Sequence, residues 1–252
     1  MPPEPAAQFA DAASPRPLGL TLTSPPAGLQ AIPPTLLAVQ QLHHIDAQLA
    51  VALGLDPARH TSCGLLSADS DDALYVALDE ATKQADVDVV FARSFYAGAA
   101  HASGPYSGEV LGVIAGSHPD HVAEGIWAVR AALRDIAFQR FVGTDGPAFL
   151  AHAIGAVGSF LAREANVEVG DPLAYLIAPP LESIIGLDAA LKAADVRLVK
   201  HIAPPSETNY GGGFLHGPLR EVEAATVAFV EAIRAVTASP LQGLRRPARL
   251  RR

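Results

Sequence analysis

Hydrophobic positions in this chain switch between two spacings, and the order of the switches occurs twice. Residues 35–42 form a short run that fits a strand, with Leu37 and Val39 toward a core. Ile45, Leu49 and Leu53 then share one face of a short helix that Gly54 closes. Residues 62–68 read as a buried strand. Leu74, Ala77, Leu78, Ala81 and Ala85 return to helical spacing behind a serine and three aspartates, residue types that answer free amides at a helix start. Residues 87–91 give the next strand, a glycine- and alanine-rich loop spans 93–104, and 108–115 read as a further strand. Ser117 as cap and Pro119 in the first turn open a helix that buries Val122, Ile126, Val129 and Leu133.

The same order follows again. Residues 148–154 match the first strand, Val157, Phe160 and Leu161 the short helix, and 173–178 the buried strand. Pro179-Pro-Leu-Glu182 opens a second long helix, a strand follows at 196–202, a second loop at 203–213, and Pro218 starts a helix presenting Val222, Phe229, Ile233 and Val236. The central helices are alike in letters as well as in period. Gly186-Leu-Asp-Ala-Ala-Leu-Lys-Ala-Ala-Asp-Val-Arg-Leu-Val199 laid on Ala77-Leu-Asp-Glu-Ala-Thr-Lys-Gln-Ala-Asp-Val-Asp-Val-Val90, at an offset of 109, agrees at 8 of 14 positions. Each copy reads β-α-β-α-β-loop-β-α, an α/β (α+β) sheet with helices packed on it. The expected division is a Pro/Ala-rich arm at 1–34, units at 35–139 and 140–240, and a basic tail at 241–252.

Composition narrows the function. Half of the 252 residues are hydrophobic and 17% are charged, which suits two domains with cores of their own. A net charge of −8 is the wrong sign for a nucleic-acid binder. One cysteine, Cys63, excludes an internal disulfide and fits a reducing compartment. No apolar run reaches the roughly 18 residues of a membrane span, and residues 1–11 lack a secretion pattern, so a cytoplasmic protein is expected.

The usual catalytic signatures are missing: no dinucleotide or phosphate-binding glycine loop, no H-E-x-x-H, no C-x-x-C pair and no nucleophile elbow. His43 and His44 are adjacent, so their side chains diverge and a structural role is expected. What remains is acidic. Asp69, Asp71, Asp72 and Glu109 suit the ammonium of a small amine, to which an aromatic face adds cation–π attraction. An interface with the second copy would add Thr208, Asn209 and Tyr210.

At these residues the sequence resembles a known family. Ser67-Ala-Asp-Ser-Asp-Asp72, Asp79-Glu-Ala-Thr-Lys-Gln-Ala85, Arg93-Ser-Phe-Tyr-Ala-Gly-Ala-Ala-His101, Gly170-Asp-Pro-Leu-Ala-Tyr175, Ala178-Pro-Pro-Leu-Glu182 and Pro204-Pro-Ser-Glu-Thr-Asn-Tyr210 are similar to motifs of the EutL family, shell proteins of the ethanolamine-utilisation bacterial microcompartment. The likeness runs over residues 36–241 and leaves out the arm and the tail. It implies two tandem, circularly permuted, ferredoxin-like microcompartment domains, three chains to a pseudohexameric disc, and discs tiling edge to edge with other shell proteins. It implies ethanolamine bound between the two domains by Asp71, Asp72, Glu109, Phe138, Thr208, Asn209 and Tyr210; the surroundings of Phe138 depart from the family's wording. It also implies a central pore that opens and shuts, framed by Arg93, Ser94, Phe95, Tyr96, Gly98 and His101 in one copy and Asn209, Tyr210, Gly211 and Gly212 in the other. Zinc is associated with the open form in the family, and His101 and His152 are the histidines available for it; no resident cofactor is expected. Two other readings stand beside this one: a free-standing amine sensor with the same doubled fold, and a carboxylate-based metal hydrolase.

Overall fold

A computed structural model describes residues 28–95, 110–204, 206 and 209–241. Two four-stranded antiparallel sheets dominate it. The first contains β2 (Leu36–Leu42), β3 (Ser62–Ala68), β4 (Asp88–Ser94) and β5 (Val110–Gly116) in the order β2-β3-β5-β4. The second contains β7 (Leu150–Ile154), β8 (Leu173–Ala178), β9 (Arg197–Ile202) and β10 (Gly211–His216) in the order β7-β8-β10-β9. Helices α1 (Ala47–Ala52), α2 (Asp71–Gln84) and α3 (Pro119–Ala132) occupy the same places in the first half as α4 (Ser159–Ala165), α5 (Pro180–Ala193) and α6 (Leu219–Ala238) in the second. With the short helix set aside, moving the first strand of either half to its end gives β-α-β-β-α-β, the ferredoxin-like arrangement, so each half is a permuted copy of it.

Alternation along the inner strands decides what each sheet face covers. In β8, Ala174, Leu176 and Ala178 pack with Leu187 of α5 and Phe229 of α6 in one core. Leu173, Tyr175 and Ile177 point the other way, into a core shared with Leu74, Leu78 and Val89 of the first half. The halves are therefore joined through one face of the second sheet. In the first sheet, Leu66, Ala68 and Ile114 enter that shared core, while Cys63, Val113 and Ala115 pack beneath Ile45 and Ala50.

A buried carboxylate ties the seam. Asp79 of α2, 1% exposed, accepts from the amides of Gly158 at 2.6 Å and Leu161 at 2.8 Å, so the first half caps a helix of the second. Gly158 has no side chain to do this, and a Cβ there would stand 2.2 Å from Thr82 Oγ1. Thr82 accepts from the Ser159 amide, and Lys83 donates to the Ala156 carbonyl at 2.9 Å. Burial pushes the Asp79 carboxyl up, and the two amides with Lys83 draw it partly back. The repeat partner of Asp79 is Asp188, which lies exposed and pairs with Lys192 at 2.6 Å.

Three local expectations are corrected. The proline-rich stretch is not all arm, because β1 (Leu29–Ile32) pairs antiparallel with β6 (Phe138–Phe141), and Leu29 is buried in the second core. A strand of four residues beside prolines carries too few alternations to be read from its pattern. The cap of α3 is His118, whose Nδ1 accepts from the Asp120 amide, in place of Ser117. The second loop is shorter than residues 203–213: Gly211 and Gly212 are buried and paired with Ala178 and Ile177 in β10. Their lack of side chains read as a loop but admits close strand packing.

The repeat also exposes a difference between the halves. Val76 and Val89 are 1% and 2% exposed beneath the second half, whereas their partners Ile185 and Leu198 are 42% and 37% exposed. Leu181, Ile184 and Leu191 lie open on the same face of α5.

Asp79→Ala is expected to lower stability by about 2–4 kcal/mol, because it deletes two hydrogen bonds to a buried charged acceptor. That corresponds to a fall in melting temperature of roughly 5–15 °C. Asp188→Ala, the same change at the repeat partner, is expected to cost less than about 0.5 kcal/mol, and thermal denaturation of the two variants checks the contrast.

Candidate functional site

The start of α2 faces the seam. Ser70 is its N-cap, in extended conformation, and Asp71 and Asp72 form the first turn, where the positive end of the helix dipole stabilises their charge. Both are buried, at 7% and 6% exposure. Asp71 Oδ1 accepts from the Asp72 amide at 2.8 Å. Asp72 Oδ1 accepts from the Tyr175 hydroxyl at 2.5 Å, a contact that crosses from the first half to the second. Burial first, then the charge of Asp72 and that hydrogen bond, push the Tyr175 phenol up, so it remains a donor. Asp69 just upstream accepts from the Thr35 amide at 2.6 Å and is tied to the start of β2.

These carboxylates wall a cavity of about 330 Å³. Its apolar side comes from Ile32, Pro33 and Pro34 after β1, Phe138 of β6, Ala148 and Tyr210. Pairing of Ile32 with Phe138 sets the position of that ring, which stands 6.0 Å from the Tyr210 ring. Tyr210 is placed by a turn: Asn209 adopts a left-handed conformation at φ 62°, its amide donates to the Ser206 carbonyl at 3.1 Å, and the Ser206 hydroxyl donates to the Tyr210 carbonyl at 2.8 Å. The Ser70 hydroxyl oxygen, on the same cavity wall, is buried and has no hydrogen-bond partner among the described residues. Acidic groups, two rings and a buried hydroxyl in one cavity are complementary in chemistry to a small cation that also carries a hydrogen-bonding group.

Of the residues expected from the sequence, Asp71, Asp72, Phe138 and Tyr210 meet in this cavity. Asn209 sits in the adjoining turn with its side chain exposed. Glu109 and Thr208 lie outside the described residues. Arg93 and Ser94 end β4 and Phe95 follows it, while Asn209 and Tyr210 precede β10. Both groups thus flank the connection from third to fourth strand in their half; Tyr96, Gly98 and His101 are outside the described residues. The sequence reading missed Ser70, Ala148 and Tyr175. Tyr175 carried a signal, since a hydroxyl in an otherwise apolar buried strand requires a partner.

His152 lies on β7 opposite Tyr175. Among the described residues no three His, Cys, Asp or Glu stand together as a metal site, so it has no co-ligands there. Burial, with a contribution from the charge of Lys83, pushes its imidazole down to about 4. Between that value and the ordinary 6.5 the unfolded chain binds more protons than the folded one, so His152 removes stability as pH falls through this window. Urea denaturation at pH 7 and pH 5 is expected to show a loss that is smaller in His152→Gln.

Comparison with known proteins places these features in context. Residues 62–143 match the family described as the BMC domain. The bacterial microcompartment shell protein EutL of Escherichia coli (strain K12) is 46% identical over 215 residues, covering 85% of this chain and 98% of that protein. The crystal structure of EutL from Clostridium perfringens superposes with a TM-score of 0.82 at 44% identity, covering 85% of this chain and 98% of the other. A trimeric bacterial microcompartment shell protein, PduB, shares the fold at 17% identity with a TM-score of 0.67.

Proposed function

Because the chain belongs to the EutL family of bacterial microcompartment shell proteins, a structural and non-enzymatic component of the ethanolamine compartment in the cytoplasm, we propose that three copies form its working unit, a ring with a gated central pore and an ethanolamine site inside each chain. The two repeat units are taken as residues 35–139 and 140–240.

The observation that carries the ring is the mismatch in burial between the repeats. The face of α2 is covered by α4 of the second half, where Leu161 is 1% exposed. The corresponding face of α5 carries Leu181, Ile184, Ile185 and Leu191 in the open. At the other end of the chain Leu49 of α1, the partner of Leu161 at the same place in its helix, is exposed too. Each chain thus ends in the two halves of one contact that it already makes once internally. Copies join head to tail through such surfaces, and a rotation that closes makes a ring. Two quasi-equivalent units per chain give sixfold-like geometry with three chains. The connections between third and fourth strands, at equivalent places in both units, then recur around one axis and frame the pore.

Ethanolamine suits the cavity at the start of α2. Its ammonium faces Asp71 and Asp72, its hydroxyl has Ser70 within the same wall, and Phe138 and Tyr210 supply ring faces. A ligand that spans both units favours whichever arrangement of the loops brings them together, in proportion to its differential affinity. The pore then answers the concentration of the molecule that the compartment consumes.

Asp71→Asn removes one charge at nearly constant shape and is expected to weaken ethanolamine binding at least tenfold in calorimetry; an unchanged affinity would dispose of the pocket assignment. Ile184→Glu buries a charge in the chain-to-chain contact and is expected to leave monomers where the parent protein elutes as a trimer in light-scattering chromatography. A parent protein that is monomeric at the same concentration would overturn the ring.

A further inference from the structure

Tyr175 stands behind the cavity at the start of α2 and forms no part of its wall. Asp72 does line that cavity, and the Tyr175 hydroxyl donates to its Oδ1 at 2.5 Å from the far side of the seam. The tyrosine is 2% exposed and lies in the shared core with Leu173 and Ile177 of its own strand. That strand, β8, is an inner one, paired with β7 on one side and β10 on the other. Its partner on β10 is Phe214, whose ring meets the tyrosine edge-on at 4.5 Å. A donor held by backbone pairing and by ring packing has one direction to offer.

The fold itself has no need of this pair. The repeat partner of Asp72 is Leu181, so the same place at the start of a central helix accepts an apolar side chain. A buried carboxylate and hydroxyl are costlier to enclose than a leucine, since both give up water and only good geometry compensates them. What the pair supplies, and leucine cannot, is a fixed acceptor. An aspartate side chain left to itself has several staggered orientations, and the hydroxyl selects one. A hydrogen bond donated to a carboxylate also favours its charged form.

We propose that Tyr175 is a positioning residue for the ethanolamine site: from the second sheet it holds the Asp72 carboxylate in one orientation beside the ammonium. The ethanolamine part rests on the function proposed for the cavity; the hold of Tyr175 on Asp72 does not. Donor and acceptor belong to different halves, so the site is complete only while the two are in register. β10 begins at Gly211, next to Tyr210 of the cavity wall, so a single sheet carries the positioning hydroxyl and leads into a ring of the site.

Two variants of the full chain separate positioning from packing. Tyr175→Phe removes one oxygen and keeps the ring against Phe214, whereas Phe214→Leu loosens the same packing and keeps the hydroxyl. Calorimetry with ethanolamine is expected to show about tenfold weaker binding in Tyr175→Phe at pH 7. On acidification its affinity is expected to fall away about half a pH unit or more above the parent, because an aspartate without its donor takes up a proton sooner. Asp71 and Tyr75 on α2, His152 opposite on β7, and Glu164 and Lys200 in the adjoining wall also face the pair, and they are the same in both proteins. Phe214→Leu is expected to melt at a lower temperature and to keep the parent's pH dependence. Without ligand, carbon NMR of the Asp72 carboxyl is expected to show the same upward displacement in Tyr175→Phe. If that displacement is found while the parent fails to bind ethanolamine, the ethanolamine reading falls and the hold on Asp72 stands. Unchanged affinity and pH dependence in Tyr175→Phe, an Asp72 titration that does not move, or an equal displacement in Phe214→Leu would overturn the proposal. Should Tyr175→Phe not fold, proton NMR of the parent decides: the Tyr175 hydroxyl signal is expected to shift when ethanolamine is added, and a signal that stays in place overturns it.

Discussion

The halves of this protein are held by a charge that one lends to the other. A helix of seven residues, α4, is too short to be stable by itself, and its amides need acceptors. Its own cap residue is a glycine, so the acceptor comes from Asp79, seventy-nine residues back along the chain. The contact is buried, so loss of either partner leaves the other without water to replace it. The cavity walls depend on the same alignment. Asp72 lies two turns back along α2, and its bond to Tyr175 has the right length only while α2 and β8 keep their register.

Much of the fold was legible because duplication doubles the signal. The 8 identities between α2 and α5 and the strands after them were found from letters and spacing, and the sheets that result have the same strand order. What stayed hidden was short or paired at long range. β1 and β6 have four residues each, and they stabilise one another across more than a hundred positions, which no local period announces. Gly211 and Gly212 illustrate the opposite error, since composition there spoke for a loop while tight pairing demanded small residues.

The candidate site was legible in its chemistry and only partly in its geometry. Aspartates before a helical run were visible as such, but the same residue types make ordinary helix starts. Their departure from the ordinary comes from the surroundings: Phe138 from the strand between the units, Tyr210 from a turn fixed by Asn209, and a serine hydroxyl enclosed with them. The two rings are far in sequence from the aspartates they meet. The resemblance supplied Phe138 and Tyr210 as positions, while Tyr175 had to be seen holding Asp72 from the far sheet.

The substitution of apolar for polar groups between the repeats follows from covalent attachment. Within a chain the linker keeps the two units at a high effective concentration, so their contact need not supply the free energy of meeting. Asp72, Tyr75 and Thr82 can stand there and leave room for water or a guest. The matching positions Leu181, Ile184 and Leu191 lie exposed, and in the proposed ring they would have to draw a second chain from solution by hydrophobic area. In the proposed ring, joining two units in one polypeptide releases one seam in every two from the work of assembly, and a seam so released has room for polar, ligand-facing groups.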